Sequence, residues 1–394
     1  MVCQRMTIAA LAALLAVTAC SGPSPQQPVE ISTDEADTDG AFPATGVTGR
    51  LNAQIARDPA LIDDEDWALV QRGFVARDAD LDIRDADGRP IWRPADYDFL
   101  DGEDAPDTVH PSLWRQARLN AEHGLYEVVP GIYQVRGYDL ANMSIVEGET
   151  GRIIIDPLTS VETAQAALAL VERELGPRPV SAVILTHSHI DHFGGVEAIE
   201  GALGDGPVPV IAPAGFLEEA VSENVMAGVV MARRAGYMYG THLPRTARGH
   251  VGSGLGKHPA LGRHTIAEPD IIVDHTGQVL EIDGVRMEFQ YAPDTEAPAE
   301  LTVFFPDFGA WCGAELVSRN LHNLYTLRGA QVRDALAWSA GIEEARRVFG
   351  GRAEVAFNSH HWPVWGADEV DDFLVAQRDI YKYIHDQTLR LAAR

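Results

Sequence analysis

The sequence predicts an α+β fold, and three observations predict it. The apolar run Arg152-Ile153-Ile154-Ile155 stops at Asp156-Pro157, a helix-forming stretch follows, and Val180-Ser181-Ala182-Val183-Ile184-Leu185 is apolar again. Strand, helix and strand in that order make a β-α-β unit. Further on, Asp283-Gly284 lies between Glu281-Ile282 and Val285-Arg286, which is a hairpin signal. Two long segments of helical composition close the chain, from about Gly329 to Phe349 and from Asp368 to Arg394. The first half is therefore expected to be more parallel and the second half more antiparallel.

In chain order, the first segment reads as a leader and not as a structural element. Arg5 supplies a positive start, and the apolar run from Met6 to Ala19 is too short to span a bilayer. It ends in Val17-Thr18-Ala19-Cys20, which resembles a bacterial lipoprotein cleavage box. The expectation is removal of residues 1–19, acylation of the Cys20 thiol, and an exported, periplasmic or outer-membrane lipoprotein. Residues 20–50 are rich in Pro, Gln, Thr, Asp and Gly, with few large apolar side chains. Such a stretch cannot bury enough surface to offset chain entropy and reads as a flexible tether. Residues 51–115 are expected to form an extension packed on a catalytic domain spanning 116–365.

Within that domain, Thr159 and Glu162 have the spacing of a capping box for a helix from Val161 to Leu175, and Pro177 and Pro179 end it. Leu301–Phe305, Gly309–Cys312 and Glu354–Phe357 read as further short strands. The formal charge of −27 disfavours electrostatic binding to nucleic acid or to an anionic membrane surface. It would also repel an anionic substrate, so any such substrate needs local cations. Of three cysteines, Cys3 leaves with the leader and Cys20 carries lipid, which leaves Cys312 without an intramolecular partner.

Chemistry concentrates directly after the Val180–Leu185 strand, in His187-Ser188-His189-Ile190-Asp191-His192-Phe193-Gly194-Gly195. Four ligand-capable side chains fall within six positions. A turn leaving a strand can aim His187 and His189 at one metal ion and Asp191 and His192 at a second. Mixed imidazole and carboxylate donors suit zinc, with iron or manganese as substitutes. A lone histidine would be explained as a solvated surface residue, but this density is not. Two ions need more ligands, and the remaining candidates also lie just past strands: Glu296, Glu315 and His360. Glu300 competes with Glu296, and His361 with His360.

The chain resembles the alkyl sulfatases of the metallo-β-lactamase fold, the zinc-dependent type that degrades detergent-like sulfate esters. The matching blocks are Thr108–Asn120, Tyr133–Asn142, the His187 motif, Ala232–Gly240, Thr295–Glu300, Leu321–Ala330 and Ser359–Pro363. The resemblance implies an αββα sandwich and two Zn²⁺ held by His187, His189, Asp191, His192, Glu296, Glu315 and His360, with Glu315 as the bridge. It implies that Asp156 orients a ligand histidine, the local alternative being a simple turn cap. It also implies that Asn323 and Arg328 hold the sulfate group. A guanidinium fork complements sulfate oxygens, and three carboxylates against two divalent ions leave the centre about +1. Asp191 and Arg328 are then the catalytic candidates, with a metal-bound hydroxide attacking an alkyl sulfate. Tyr237 and Tyr239 lie in a matching block and could line the site, but the expectation is that they are core aromatics. Residues 366–394 match the start of a helical dimerisation region, which implies a homodimer where that region is complete. The rival readings are another esterase, lactonase or phosphodiesterase of the same fold, or a non-catalytic zinc- or surfactant-binding lipoprotein.

Overall fold

The computed structural model describes residues 40–62, 65–102, 104–204 and 206–394. The leader, Cys20 and most of the expected tether lie outside the described residues. The tether reading runs too far at its C-terminal end, because helix α1 (Gly46–Ile55) starts inside it. Composition missed this helix because it is held by particular contacts rather than by an apolar face. The Thr45 hydroxyl accepts from the Thr48 backbone N–H, and buried Asn52 donates to the Asp107 carbonyl. Then come α2 (Pro59–Ile62), α3 (Glu65–Gln71), β1 (Phe74–Ala76), the ribbon β2 (Ile83–Arg84) and β3 (Pro90–Trp92), and α4 (Pro111–Leu119). These pieces pack onto the body of the protein through Tyr97, Trp114 and Val251, and through Val70, Leu119 and Trp362.

The first large sheet is built from β1, β4 (Gly124–Val129), β5 (Ile132–Arg136), β6 (Met143–Glu147), β7 (Arg152–Ile155), β8 (Val180–Ile184), β9 (Val210–Pro213) and β10 (Ile271–Val273), in that spatial order. From β1 to β7 the pairing is antiparallel, and from β7 to β10 it is parallel. The expected parallel half is thus confined to the sheet's second part, where helices supply the crossovers. Helix α5 (Val161–Leu175) makes the first of them. Its cap sits one residue later than the sequence suggested: Ser160 and Thr163 form the box, because the Thr159 hydroxyl is drawn instead to Asp139. After β8 come the short turn α6 (Ile190–Phe193), α7 (Phe216–Val221) and α8 (Gly228–Met238).

The second sheet runs β11 (Val279–Ile282), β12 (Val285–Tyr291), β13 (Leu301–Phe305), β14 (Ala310–Cys312), β15 (Val355–Phe357) and β16 (Val364–Trp365). It is antiparallel except for the pair β14 and β15, whose crossover is α9 (Ala335–Phe349). The expected helix from Gly329 is six residues shorter at its start, because Asp334 caps it by accepting from Leu336 and Ala337. Helix α10 (Ala367–Ala392) ends the chain.

Period-two alternation assigns the layers. On β7, Ile153 and Ile155 face the second sheet while Ile154 faces α5; on β13, Leu301, Val303 and Phe305 face the first sheet while Phe304 faces α9. The result is helix, sheet, sheet, helix, with one apolar core between the sheets and one under each helical layer. At one edge of the sandwich the sheets are stitched together. His187 pairs with Glu300 as an isolated antiparallel bridge, and Leu301 donates to the Thr186 carbonyl. The ligand-rich residues gather at that seam.

Candidate metal centre

The His187 motif owes its shape to close approach. A Cβ on Gly194 would lie 2.1 Å from the Thr159 carbonyl oxygen, and one on Gly195 would lie 2.1 Å from that of Pro157. Only glycine lets the α6 turn sit flush on the Asp156–Thr159 turn. That contact brings Asp156 under His192, whose Nδ1 lies 2.9 Å from the carboxylate. Asp156 also accepts from the Thr186 amide, the Thr186 hydroxyl and the Ser359 hydroxyl. Four hydrogen bonds converge on it, which suits it to orient His192, although it also lies within reach of His187 and His192.

The seven expected ligands converge. His187, His189, Glu296 and Glu315 form one group, and Asp191, His192 and His360 a second. Glu315 touches both: Oε2 is 3.2 Å from His187 Nε2 and 3.4 Å from His192 Nε2, and Oε1 is 3.3 Å from His360 Nε2. His189 joins through Nδ1, 2.9 Å from Glu296 Oε2. His187 Nε2, His192 Nε2, His360 Nε2, Glu296 Oε2 and Glu315 Oε1 are buried with no hydrogen-bond partner. Each such orphan costs about 1–3 kcal/mol unless something satisfies it. Two donors about 2.05 Å from one ion at a tetrahedral angle are about 3.3 Å apart, which matches these spacings. The donor set fits a pair of first-row divalent ions.

The far nitrogens are fixed for that purpose. His360 Nδ1 donates to the Leu140 carbonyl at 3.1 Å, and His187 Nδ1 lies 2.9 Å from the Thr186 hydroxyl. Such partners set the tautomer that leaves Nε2 free. The two open choices also resolve. His361 sits at φ 63°, turns away, and directs Nε2 to the Gly254 carbonyl at 3.0 Å. Glu300 accepts from the Glu296 and Ala297 amides and from the Thr295 hydroxyl on one oxygen, and from the Glu315 amide on the other. It braces the two ligand-bearing loops and stands in none of the ligand groups. Five of the six non-glycine residues with positive φ among the described residues border this centre: Asp156, Leu158, Asp294, Ala314 and His361. Each costs on the order of 1–3 kcal/mol and persists because the surroundings over-determine it.

Electrostatics in the ion-free chain are those of crowded opposite charges. Burial opposes charge on His192, yet Asp191 and Asp156 outweigh it and hold the imidazolium well above its usual range. Burial likewise opposes His189 and His360, and Glu296 and Glu315 respectively raise them. Burial would raise Glu315, but His360 and the close imidazoles of His187, His192 and His322 hold it well below the carboxylate range. These imidazoles carry protons below their raised values, whereas an ion needs the neutral ring. Zn²⁺ titrated into chelator-treated protein should therefore release protons near pH 6–7, and release should fade as pH climbs past the imidazole range. Calorimetry in two buffers of different ionisation enthalpy measures this. Heats that do not depend on buffer would remove the histidines from the ligand set.

Residues 136–360 match the metallo-beta-lactamase superfamily. The chain belongs to the metallo-β-lactamase superfamily. Within it, a linear primary-alkylsulfatase of Pseudomonas sp is 48% identical over 355 residues, covering 89% of this chain and 53% of that protein. An alkyl/aryl-sulfatase of Saccharomyces cerevisiae is 44% identical over 346 residues, covering 87% and 54% respectively. A solved structure of a stereoselective inverting sec-alkylsulfatase from Pseudomonas sp. superposes with a TM-score of 0.86 at 42% identity, over 90% of this chain and 56% of that one. The chain spans about half the length of the curated relatives it matches.

Around this metallo-β-lactamase-type centre stand residues that sequence reasoning missed. His322 Nε2 lies 3.4 Å from Glu296 Oε1 and 3.2 Å from Glu315 Oε1, and its backbone N–H donates to the Tyr381 hydroxyl on α10. Buried Arg333 pairs with Glu296 Oε1 and donates to the Asn323 carbonyl and the Thr326 hydroxyl. Both sit on loops, so the rule that ligands lie just past strands could not find them. The tyrosine expectation also needs correction. Tyr237 is 85% exposed, while burial first, and then neighbouring Arg328, Asp191, Glu315 and Glu296, govern Tyr239, whose hydroxyl is pushed up to about 12. Tyr237 is no core aromatic, and half-buried Tyr239 feels the charges of the centre, as the other reading of its block expected. Arg328 pairs with Glu223, at 2.8 Å through Nε and 2.5 Å through Nη2, and Glu223 in turn lies 3.7 Å from His189. The Asn323 amide donates to the Tyr325 carbonyl and the Thr326 hydroxyl, which turns it toward its own loop.

Proposed function

We propose that this chain hydrolyses alkyl sulfate esters to an alcohol and inorganic sulfate at a two-zinc centre. The observation that carries the reading is Glu315 standing between both ligand groups, in a chain whose relatives are alkylsulfatases. When bound, the ion pair would supply Lewis acidity and an acidified water. The chain's own groups do the rest. Asp156 and the Leu140 carbonyl hold His192 and His360 in the ligating tautomer, and Arg333 fixes Glu296.

A cavity of about 470 Å³ opens from His189 and Glu296. Ala227, Met231, Pro298 and Ala337 give its wall an apolar side, with Glu219 and Asp334 also present. Those carboxylates repel sulfate, so the anionic head belongs at the inner, ion-loaded end and the alkyl chain points outward. Arg328, whose partner Glu223 lines the cavity, and Asn323 are the proposed sulfate holders. To act so, Arg328 must share its fork between Glu223 and the substrate, and Asn323 must release its loop bonds. His322 faces both glutamates with an imidazole nitrogen and stands ready to hand a proton to the departing oxygen. The Val17–Cys20 stretch supports export and a lipid anchor for the same chain.

Sulfate release from dodecyl sulfate by purified protein, with and without chelator, tests the activity. Arg328→Ala should keep its zinc and lose about ten- to a hundredfold in turnover, the value of one charge-assisted contact of about 1.5–3 kcal/mol. Lysine there should restore only part, since a point charge cannot reproduce the fork. Equal losses on an uncharged ester would make Arg328 structural.

A further inference from the structure

We propose that a small monovalent anion of chloride's size binds in the cavity bordered by Arg136, Lys257, His361 and Trp362. The cavity measures about 30 Å³, room for one small ion or two waters. Its walls are rich in buried donors that the protein leaves unanswered. Arg136, at the end of β5, is 5% exposed, and its Nε and Nη1 have no hydrogen-bond partner. Its guanidinium lies on the Tyr126 ring, 3.4 Å from the centroid, which engages the flat face and leaves the N–H edge open. Lys257 is 3% exposed and donates to the Asn120 carbonyl at 3.0 Å, one bond for three N–H groups. The Trp362 indole N–H is buried and unpartnered as well.

Charge points the same way. Two carboxylates border the cavity. Glu122 lies 3.3 Å from Arg77, and its Oε2 has no hydrogen bond. Asp139 is turned away, accepting from the Leu140 and Ala260 amides and from Thr159 and Thr163. With Glu122 answered by Arg77 from outside the cavity, Asp139 alone stands against Arg136 and Lys257, an excess of one positive charge. One further acceptor, His361 Nδ1, is unpartnered because Nε2 serves Gly254. Burial depresses Lys257 to about 8, as expected for a cation without a full counter-charge. A monovalent anion restores neutrality and accepts from the idle N–H groups, which water could do without neutralising them. The bound ion would also tie the end of β5 to the His361-Trp362 segment next to ligand His360.

The test is thermal unfolding of the metal-loaded chain as sodium chloride replaces sodium gluconate at constant ionic strength. Tm should rise with chloride, by about 2 °C per tenfold once the site is half filled, and bromide should do the same. The response should vanish in Arg136→Met and in Lys257→Met, so either variant suffices if the other fails to fold. Crystals grown in bromide should show an anomalous peak beside Arg136. Equal Tm in gluconate and chloride, or a cavity holding water and no bromide signal, would overturn the proposal.

Discussion

Glu315→Gln protein should purify with well under two metal ions per chain and should lose alkyl sulfate turnover by more than a hundredfold. Removing an outer hydrogen-bond partner of a ligand already costs about ten- to a hundredfold in metal affinity or activity. Glu315 stands closer than that: both its oxygens lie within 3.4 Å of imidazole nitrogens belonging to the two ligand groups. Glutamine keeps the volume and hydrogen-bonding reach but removes the charge and one of the two acceptor oxygens. The remaining carboxylates, Asp191 and Glu296, then sit in separate groups. Metal analysis beside a sulfate-release assay reads the result. A variant that retains two ions would take the bridge away from Glu315 and with it the two-ion geometry.

The parts of this centre that could be read from sequence are those tied to a regular element. His187, His189, Asp191 and His192 leave β8 on a single turn, so a strand ending and a residue spacing suffice. Glu296, Glu315 and His360 also lie just past strands, but there the residue type alone could not choose between neighbours. Glu296 and Glu300 share one loop, and the choice is made by the backbone turn at Asp294, with φ 60°. The choice between His360 and His361 is made by φ 63° at the latter. Neither angle leaves a trace in composition or period. His322 and Arg333 reach the site from loops, His322 held by Tyr381 of α10, so no local pattern announces them. In the fold, apolar runs located β7, β8, β13 and β14 to within a residue. The cap of α5 slipped by one residue because Asp139, twenty positions away, competes for the Thr159 hydroxyl.

Glu300→Ala is expected to be the most destabilising single change in the site, by at least about 3 kcal/mol. It leaves the buried amides of Glu296, Ala297 and Glu315 without an acceptor, at about 1–3 kcal/mol each. The Thr295 hydroxyl is spared, since it also reaches the Ala292 carbonyl at 2.6 Å. Against a typical total of about 5–15 kcal/mol, such a loss shows plainly in urea unfolding of the metal-loaded protein. Burial, and next the Glu296 carboxylate, push Glu300 up to about 8 in the ion-free chain. Two bound cations oppose that shift and favour the ionised brace. Glu300→Gln should therefore fall between wild type and alanine: it retains one acceptor oxygen but points an amide N–H₂ at backbone donors. An alanine variant as stable as wild type would show that the loops carrying Glu296 and Glu315 hold themselves.

The stitch between His187 and Glu300 at the seam of the two sheets also orders events in time. Half of the centre hangs from β8 and half from the second sheet, and the two share contacts only across more than a hundred residues of chain. Loop closure over such distances is slow and is not repaid until the distant partners dock. A growing chain that ends before β12 displays three histidines and an aspartate with nothing opposite them, and one that ends before β15 still lacks His360. Tight metal capture at the proposed centre should thus come last in folding, and a tightly bound ion would report that both sheets have met.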